Sequence, residues 1–249
     1  MIKNIKYLIL ILLLHNLVLP SSHIYCNEGI QDDSDSNYDI VDVTIPDPCE
    51  GLNRKFFIVN GILELGVVRP LAKMYRAVCS PSTMTLVSNF MTNLQTPSTV
   101  VNNALQAKPQ LSLKALWRFL INSTLGICGL FDVASKFGIN VPAQNFGSTL
   151  AYYGASTGPY LMLPFFGPTS FRDMLDVVLL NKYTNAMTYT DIPSAYQISA
   201  TVLNVVNGRA KSMLLSNQLF NQKADPYIIV RNAYHCDREA KIKTNANQR

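Results

Sequence analysis

Apolar residues recur at the spacing of an α-helix in several short segments of this chain, and glycine and proline separate those segments. The segment LSLKALWRFLIN, residues 111–122, carries one such stripe, with Ser112 as the predicted N-cap. The stripe consists of Leu113, Leu116, Leu120 and Ile121, with Trp117 beside it. Alternation of apolar and polar residues, which is typical of strands, is scarce. The pattern predicts an all-α fold in a single domain, with little or no strand.

Three more segments repeat this helical scheme. In TSFRDMLDVVLLN, residues 169–181, Thr169 or Ser170 is the predicted cap. Residues 195–220 form the longest helical candidate. A last helix is predicted to follow the aspartate before Pro226, because proline suits the first position of a helix.

Apolar stripes of this kind normally form the core of a helical protein, and that is the first interpretation of them here. Other large apolar residues lie beside glycine and proline rather than inside long helices, and contact with lipid acyl chains is the alternative for these. They are Phe56 and Phe57, Tyr152 and Tyr153, Phe165 and Phe166, and the run 160–163.

Residues 1–26 have the composition of an export signal. Lys3 and Lys6 precede an unbroken apolar run from Tyr7 to Leu14. Because a spanning helix needs about 20 apolar residues, this run favours an export signal over the alternative of a permanent N-terminal anchor. The sequence therefore predicts an exported protein.

Residues 27–46 hold six acidic residues and no basic one, which is typical of a solvated, flexible tether. Without these acids and the two signal lysines, 19 basic and 10 acidic residues remain, a net charge of +9. A basic exported protein favours anionic lipid headgroups over nucleic acid as partners. Residues 236–249, which include Lys241, Lys243 and Arg249, are predicted to form a basic C-terminal tail.

The cysteines and the known catalytic motifs narrow the function further. No CxxC pair occurs, so neither a zinc site nor a thioredoxin-type motif is indicated. Without Cys26, four cysteines remain and allow three disulfide pairings, namely those among Cys49, Cys79, Cys128 and Cys236. Neither a phosphate-binding P-loop nor an H-E-x-x-H helix occurs. The sequence predicts no cofactor, no metal and no nucleotide hydrolysis.

The run GASTG, residues 154–158, matches the Gly-x-Ser-x-Gly pattern that marks a serine nucleophile on a strand-to-helix turn in hydrolases. His235 is the one histidine after the signal region and would have to act as the base for Ser156. However, the preceding FGSTLAYY has helical character, and two prolines interrupt the helix that should follow. The context favours a conformational role for the two glycines, and no catalytic residue is predicted.

Six blocks of sequence, taken in their order along the chain, are informative about the family of the protein. They are DPCEGLNRKFFIVN (47–60), VRPLAKMYR (68–76), SNFMTNLQTPSTVVNNALQ (88–106), RFLINSTLGICGLFDVA (118–134), FGSTLAYYGASTGPYLMLPFFGPTSFRD (146–173) and DPYIIVRNAY (225–234). Together they resemble the MlaA/VacJ family, outer-membrane phospholipid-transport lipoproteins of Gram-negative bacteria. Residues 47–235 are accordingly predicted to form an MlaA/VacJ-like helical domain.

The resemblance implies a ring-like all-α protein in the periplasmic leaflet of the outer membrane, with a polar path through its centre. Mislocalised phospholipid of the outer leaflet would leave through that path for a soluble periplasmic lipid carrier. An outer-membrane porin trimer is a further implied partner. A porin-associated structural scaffold without transport is the first rival hypothesis, and a serine esterase at Ser156 is the second.

The family pattern also gives fifteen candidate residues for the polar path. They are Asp47, Asn53, Arg54, Arg69, Asn89, Asn93, Asn103, Gln106, Arg118, Asn122, Asp132, Arg172, Asp173, Asp225 and Arg231. The alternative is a structural role, as helix caps and as Arg–Asp pairs that hold helices together. Arg172 and Asp173 are adjacent in a helix, so they are predicted not to pair with each other.

Two further features depend on the resemblance. The segment 154–168 is predicted to be a shaped, membrane-associated turn, built by Gly154, Gly158, Pro159, Pro164, Gly167 and Pro168. Cys26 is the candidate lipidation site. It follows Tyr25, whereas a lipobox has a small residue there and usually a leucine three positions before the cysteine. This departure predicts weak acylation at best.

Overall fold

The computed structural model describes residues 45–176, 194–220 and 225–247. The predicted export signal, Cys26 and most of the predicted tether lie outside the described residues. Within them the chain is largely helical with two short strands, so the predicted all-α class is confirmed. Within them also, no helix is both long enough and apolar enough to cross a membrane.

The helices follow one another with short connections. In chain order they are α1 (Glu50–Leu63), α2 (Arg69–Val78), α3 (Pro81–Leu105), α4 (Pro109–Thr124), α5 (Val133–Lys136), α6 (Phe146–Tyr152), α7 (Phe171–Leu175), α8 (Ser194–Phe220) and α9 (Pro226–Ala246). A π-helical segment, Glu64–Val68, joins α1 to α2. Strands β1 (Tyr160–Leu163) and β2 (Gly167–Ser170) form an antiparallel hairpin between α6 and α7. The sequence did not predict this hairpin.

Side-chain caps fix several helix starts. Ser170 caps α7 by accepting from Asp173 N at 3.2 Å, and Asp225 caps α9 with Pro226 next to it, as predicted. The predicted cap Ser112 is wrong, because α4 begins three residues earlier at Pro109. The Ser112 hydroxyl instead donates to Val100 O at 2.8 Å and links α4 to α3.

The elements contact one another in a closed order. The helix α1 continues through the π-helical segment into α2, α2 packs on α8, α8 on α3, and α3 on α6. From there α6 packs on α9, α9 on β2, and β1 returns to α1. The helix α4 packs against α3 and α5. A closed order of contacts is what a ring-like arrangement requires.

The ends of the predicted domain differ from the structure. Ile45, predicted as part of the tether, is buried in a small apolar cluster with Tyr160 and Tyr227, and Pro46 O accepts from Tyr160 N at 3.2 Å. The predicted tail boundary after residue 235 falls inside α9. Residues 236–246 continue that helix, and Arg238 and Asn245 are buried there.

Candidate functional site

The surface of the described residues carries many large apolar side chains. On α1 and α2, Ile62, Met74 and Val78 have 65%, 67% and 87% of their surface exposed. On α4, the stripe predicted to be core is exposed instead, at Leu113, Leu116, Trp117 and Leu120. Apolar area in water costs about 25 cal/mol per Å², and large exposed patches mark contact with a membrane or a partner. The exposed helix faces are therefore the candidate lipid-facing surface.

The buried residues, by contrast, are largely polar. Among the described residues, the side chains buried to 98% or more include Asn53, Asn102, Asn103, Gln106, Ser170 and Asn207. Within the described ranges, buried apolar residues form two small clusters, one around Tyr160 and Tyr227 and one around Ala72 and Met84. Because a buried polar group needs a partner, the interior consists of hydrogen-bonded networks.

Two asparagines of α1 bind the free edge of the hairpin. Asn53 Nδ2 donates to Tyr160 O at 3.1 Å, and Asn53 Oδ1 accepts from Met162 N at 2.9 Å. Asn60 repeats the arrangement two helical turns later, donating to Leu163 O at 2.9 Å and accepting from Phe165 N at 2.6 Å. The two amides therefore satisfy the edge of β1 that β2 leaves open. Asn60 was not predicted, although its seven-residue spacing from Asn53 places both on one helix face.

Asp47 lies where α1 and the hairpin meet α9. Its carboxylate accepts from Asn53 Nδ2 at 2.8 Å and from the Tyr227 hydroxyl, and Arg231 Nη1 lies 3.7 Å away. Burial, followed by the bond to Asp47, raises the pKa of Tyr227. The predicted residues of this region therefore come together at one junction.

Beside this junction, Arg54 forms ion pairs with Asp225 and Glu50, both at 2.7 Å. Its guanidinium also lies 4.6 Å from the centre of the Tyr227 ring. The pair with Asp225 joins α1 to the N-terminus of α9.

A second junction joins α6, α7 and α9 through Asp173. Arg238 approaches its carboxylate with Nε at 2.6 Å and Nη2 at 2.7 Å, and the Tyr234 hydroxyl donates at 2.6 Å. Arg172 Nε lies 3.4 Å from Asp173 Oδ1, so the prediction that these neighbours do not pair is wrong. Gly147 makes the approach possible, since a Cβ there would lie 2.3 Å from Asp173 Oδ1.

The two acids of this junction differ in their electrostatics. Burial alone would raise the pKa of Asp173, but Arg238 and the Tyr234 hydroxyl outweigh it and hold the pKa below its usual range. Asp176 lacks so close a cation, and burial raises its pKa while its carboxylate accepts from Phe146 N at 3.2 Å. The junction therefore holds Asp173 charged and makes Asp176 easier to protonate.

A third network crosses from α3 through α6 to the end of α9. Thr149 donates to Asn102 Oδ1 at 2.8 Å and accepts from Gln106 Nε2 at 3.0 Å. Asn245 Nδ2 donates to Gln106 Oε1 at 2.9 Å, and Lys108 Nζ donates to Asn245 Oδ1 at 2.8 Å. Of these five residues the sequence predicted only Gln106.

A fourth network holds the segment after α4. Arg118 Nη2 pairs with Asp132 at 2.5 Å, and Asn122 Nδ2 donates to Asp132 Oδ1 at 3.0 Å. Burial alone would raise the pKa of Asp132, but the hydrogen bonds and the ion pair to its carboxylate outweigh burial and lower that pKa. From α3, Asn89 donates to Leu130 O at 3.1 Å and Asn93 donates to Ser123 Oγ at 2.9 Å.

Thirteen of the fifteen predicted residues thus lie in or beside the four networks described above, and Arg69 and Asn103 lie outside them. Arg69 is the half-buried first residue of α2, and Asn103 is fully buried and donates to Thr99 O at 3.0 Å. Missed residues include Tyr227, Tyr234 and Arg238, all on the buried face of α9. These residues lie four, three and seven positions from Arg231, respectively, and this spacing was the signal that pointed to one helix face.

Three glycines with a predicted conformational role have a left-handed backbone. Gly154, Gly158 and Gly167 have φ values of +86°, +70° and +80°, which other residues adopt at a cost. Pro159 directly precedes β1, Pro164 lies between the strands, and Pro168 is in β2.

Ser156 lies exposed in the loop between α6 and the hairpin. A helix precedes it where a nucleophile elbow requires a strand. His235 lies half-buried on α9, with its ring 6.5 Å from that of Tyr160. The geometry therefore does not support Ser156 as a nucleophile.

Comparisons with known proteins give the chain its relatives. Residues 45–241 match the family described as MlaA lipoprotein. The intermembrane phospholipid transport system lipoprotein MlaA of Escherichia coli is 34% identical over 192 residues, covering 76% of this chain and 75% of that protein. An uncharacterized protein of Rickettsia conorii is 40% identical over 205 residues, covering 82% of this chain and 81% of that protein.

One solved structure extends the likeness to three dimensions. It comes from work on the structural basis for maintenance of bacterial outer membrane lipid asymmetry, and it matches with a TM-score of 0.69 at 32% identity. The match covers 79% of this chain and 98% of the other.

Proposed function

The chain belongs to the MlaA lipoprotein family, and we propose that it is the outer-membrane component of an intermembrane phospholipid transport system. In this role it removes mislocalised phospholipid from the outer leaflet through a polar path. It passes the lipid to a soluble periplasmic carrier and associates with a porin trimer. The proposal includes no catalytic step.

The distribution of polarity carries this proposal. The described helices turn large apolar side chains outward and bury amides, hydroxyls and ion pairs. An outer surface of this kind suits acyl chains, whereas the interior offers polar groups that can replace the hydration of a headgroup. Moving a charged headgroup through hydrocarbon costs several kcal/mol or more without such groups. A polar path inside an apolar body lowers that barrier without an energy source.

The proposed location follows the same reasoning. Helices α1, α2 and α4 would place their exposed apolar faces in the periplasmic leaflet of the outer membrane. Residues 1–26 would direct export, and the acidic residues that follow would tether the body. At about 5–6 Å times the square root of its length, a tether of about twenty residues spans roughly 25 Å.

Membrane association is tested by flotation of the purified protein with lipid vesicles. The double variant Met74→Glu, Val78→Glu places two charges on the most exposed apolar positions of α2, and we expect it to remain unbound. Gln95→Glu is the control, because Gln95 is an exposed polar residue of α3. Equal flotation of both proteins would refute the assignment of this surface to lipid.

Transport is tested separately from association. Vesicles carrying the wild-type chain and a fluorescent phospholipid are mixed with the soluble periplasmic carrier, and transfer to the carrier is measured. We expect transfer to depend on the chain. Normal flotation without transfer would favour the rival hypothesis of a porin-associated scaffold.

A further inference from the structure

Several hydrogen-bonding atoms between the hairpin and α9 take no part in the networks described above. They are Tyr160 OH, Arg172 Nη2, Arg231 Nε, both amide atoms of Asn232 and His235 Nε2. Each is buried and has no hydrogen-bond partner within the described part of the chain. Tyr160 is fully buried, and Arg172 is 4% exposed.

These side chains lie close to one another. His235 follows Arg231 by four residues and Asn232 by three on α9, so it lies one turn beyond both of these adjacent residues. The His235 ring lies 6.5 Å from the Tyr160 ring and 5.9 Å from the Tyr234 ring. Arg172 joins the group through Asp173, which Tyr234 also binds. The unused atoms therefore belong to one region, where the hairpin and α7 meet α9.

A buried polar atom without a partner is unfavourable, so such groups are rare in folded proteins and require an explanation. Their concentration in one region is unlike the junctions around Asp47 and Asp173, where the carboxylates are well supplied with donors. In contrast to those acids, the uncommitted atoms are mainly hydrogen-bond donors. A ligand rich in acceptor oxygens would satisfy them.

The charges of the region favour an anion. Arg172 and Arg231 bring two cations, and each keeps a guanidinium nitrogen uncommitted. Arg238 adds a third cation at Asp173. The facing acids are Asp47 and Asp173, which already accept from other donors, and Glu239, which lies exposed one turn beyond His235. Burial lowers the pKa of His235, so its imidazole is neutral at neutral pH and can donate one hydrogen bond.

We propose that Tyr160, Arg172, Arg231, Asn232 and His235 form a binding site for a phosphate-type anion, in the first place the phosphodiester of a phospholipid headgroup. This deepens the proposed function and rests on it. A phosphodiester carries one negative charge and two non-bridging oxygens, which suit paired arginine nitrogens and neutral donors. The site would hold the headgroup while the acyl chains remain with the apolar residues.

Binding of three soluble probes tests the site. The probes are inorganic phosphate, a dihexanoyl phosphatidylglycerol and a dihexanoyl glycerol that lacks phosphate. We expect the wild-type chain to bind the phospholipid and not the glycerol. Binding of inorganic phosphate as well would indicate a site for the anion itself, whereas its absence would indicate a site for the whole headgroup. Equal binding of phospholipid and glycerol would overturn the proposal.

Two sets of variants remove the unused atoms while retaining side-chain shape. Tyr160→Phe deletes one hydroxyl, and the double variant Asn232→Leu, His235→Phe deletes the amide and the imidazole. We expect each set to weaken phospholipid binding, the double variant by at least tenfold. Tyr153→Phe is the matched control, because its hydroxyl lies at the exposed surface and donates to Leu105 O.

Thermal unfolding distinguishes binding from a structural role. Replacing an unpartnered buried polar atom by an apolar group of similar shape is neutral or stabilising. We therefore expect variants with a Tm at or above that of the wild type and with weaker phospholipid binding. Unchanged affinity in both sets, or a lowered Tm with unchanged affinity, would overturn the site. If the wild-type chain transfers lipid and the variants do so equally well, the site fails while the proposed function stands; a wild-type chain without transfer would contradict the function itself.

Discussion

Gly147→Ala tests the junction between α6, α7 and α9 with the smallest possible change. A Cβ built on Gly147 would lie 2.3 Å from Asp173 Oδ1, 2.7 Å from Arg238 Nη2 and 3.1 Å from Asp173 Cγ. Contacts below 3.0 Å are not tolerated, so the carboxylate and the guanidinium must move. Because both groups are buried, their displacement breaks the ion pair without giving either one access to water.

The size of the effect follows from two opposing contributions. Breaking a buried ion pair costs about 3–5 kcal/mol, because one charge is left without its partner. Replacing glycine by alanine inside a helix stabilises it by at most about 1 kcal/mol. The net loss is therefore roughly 2–4 kcal/mol. In a chain of this size 1 kcal/mol shifts Tm by about 2–4 °C, so Tm should fall by roughly 5–15 °C.

Thermal unfolding of the detergent-solubilised protein, followed by circular dichroism, measures this loss. Gly61→Ala is the control, because Gly61 lies in α1 and a Cβ there meets nothing within 4 Å. We expect the control to keep or slightly raise Tm. In a double-mutant cycle with Asp173→Ala, the two changes should be strongly non-additive, since the alanine no longer meets a carboxylate. A wild-type Tm for Gly147→Ala would refute this reasoning.

Four further predictions concern other parts of the chain. Ser156→Ala should leave the outer-membrane permeability barrier of cells intact, and a loss at normal protein level would contradict the prediction that Ser156 has no catalytic role. Gly158→Val should impair lipid transfer while the protein still folds and binds membranes, because φ is +70° and its Cβ would lie 3.1 Å from Phe171 Cβ; wild-type transfer would remove this segment from the path. The pKa of His235 lies below its ordinary 6.5 in the folded chain. Stability should therefore fall as pH drops through and below 6.5, and His235→Phe should lessen that fall in thermal unfolding. Mass spectrometry of the mature N-terminus should find little diacylglyceryl modification of Cys26, and full modification would show that the processing enzyme accepts Tyr25.

Local signals predicted the helices and several of their ends. Apolar spacing located α4, α8 and α9, and the caps at Ser170 and Asp225 were identified from residue type alone. The glycines of segment 154–168 predicted a conformational role, and three of them have positive φ. These features depend on neighbouring residues, so a single sequence contains them.

The hairpin and the polar junctions depend on residues far apart in the chain. The edge of β1 is satisfied by Asn53 and Asn60, which are more than 100 residues away from it. The strand register therefore depends on side chains of a helix, and no local alternation of polar and apolar residues predicts the strand. The pairing of Asp173 with Arg238 likewise depends on how α9 crosses α6.

The direction in which the apolar stripe of α4 faces is the largest departure from the sequence-based prediction, and it has a physical origin. Periodicity reports that a helix has two different faces, but not which solvent each face meets. The spacing around Leu116 predicts a core stripe only for a helix surrounded by water, whereas the structure exposes this stripe. Only the buried face of the same helix, with Asn122 and part-buried Arg118, indicates a polar interior.

Because the interior is polar and the exposed helix faces are apolar, different residues determine stability and membrane association. In the interior, each hydrogen bond contributes only about 0.5–1.5 kcal/mol, but removing one partner leaves the other buried at a cost of about 1–3 kcal/mol. Single changes at Gln106, Asn245 or Asp173 should therefore act mainly on folding. Exposed side chains such as Met74 and Val78 make few contacts within the described chain, so shortening them costs little folding energy in water. Their contribution appears only when hydrocarbon replaces water around α2, because the apolar area then becomes buried. Stability and membrane binding consequently test different faces of the same helices, and a variant that loses one while keeping the other identifies the face to which its residue belongs.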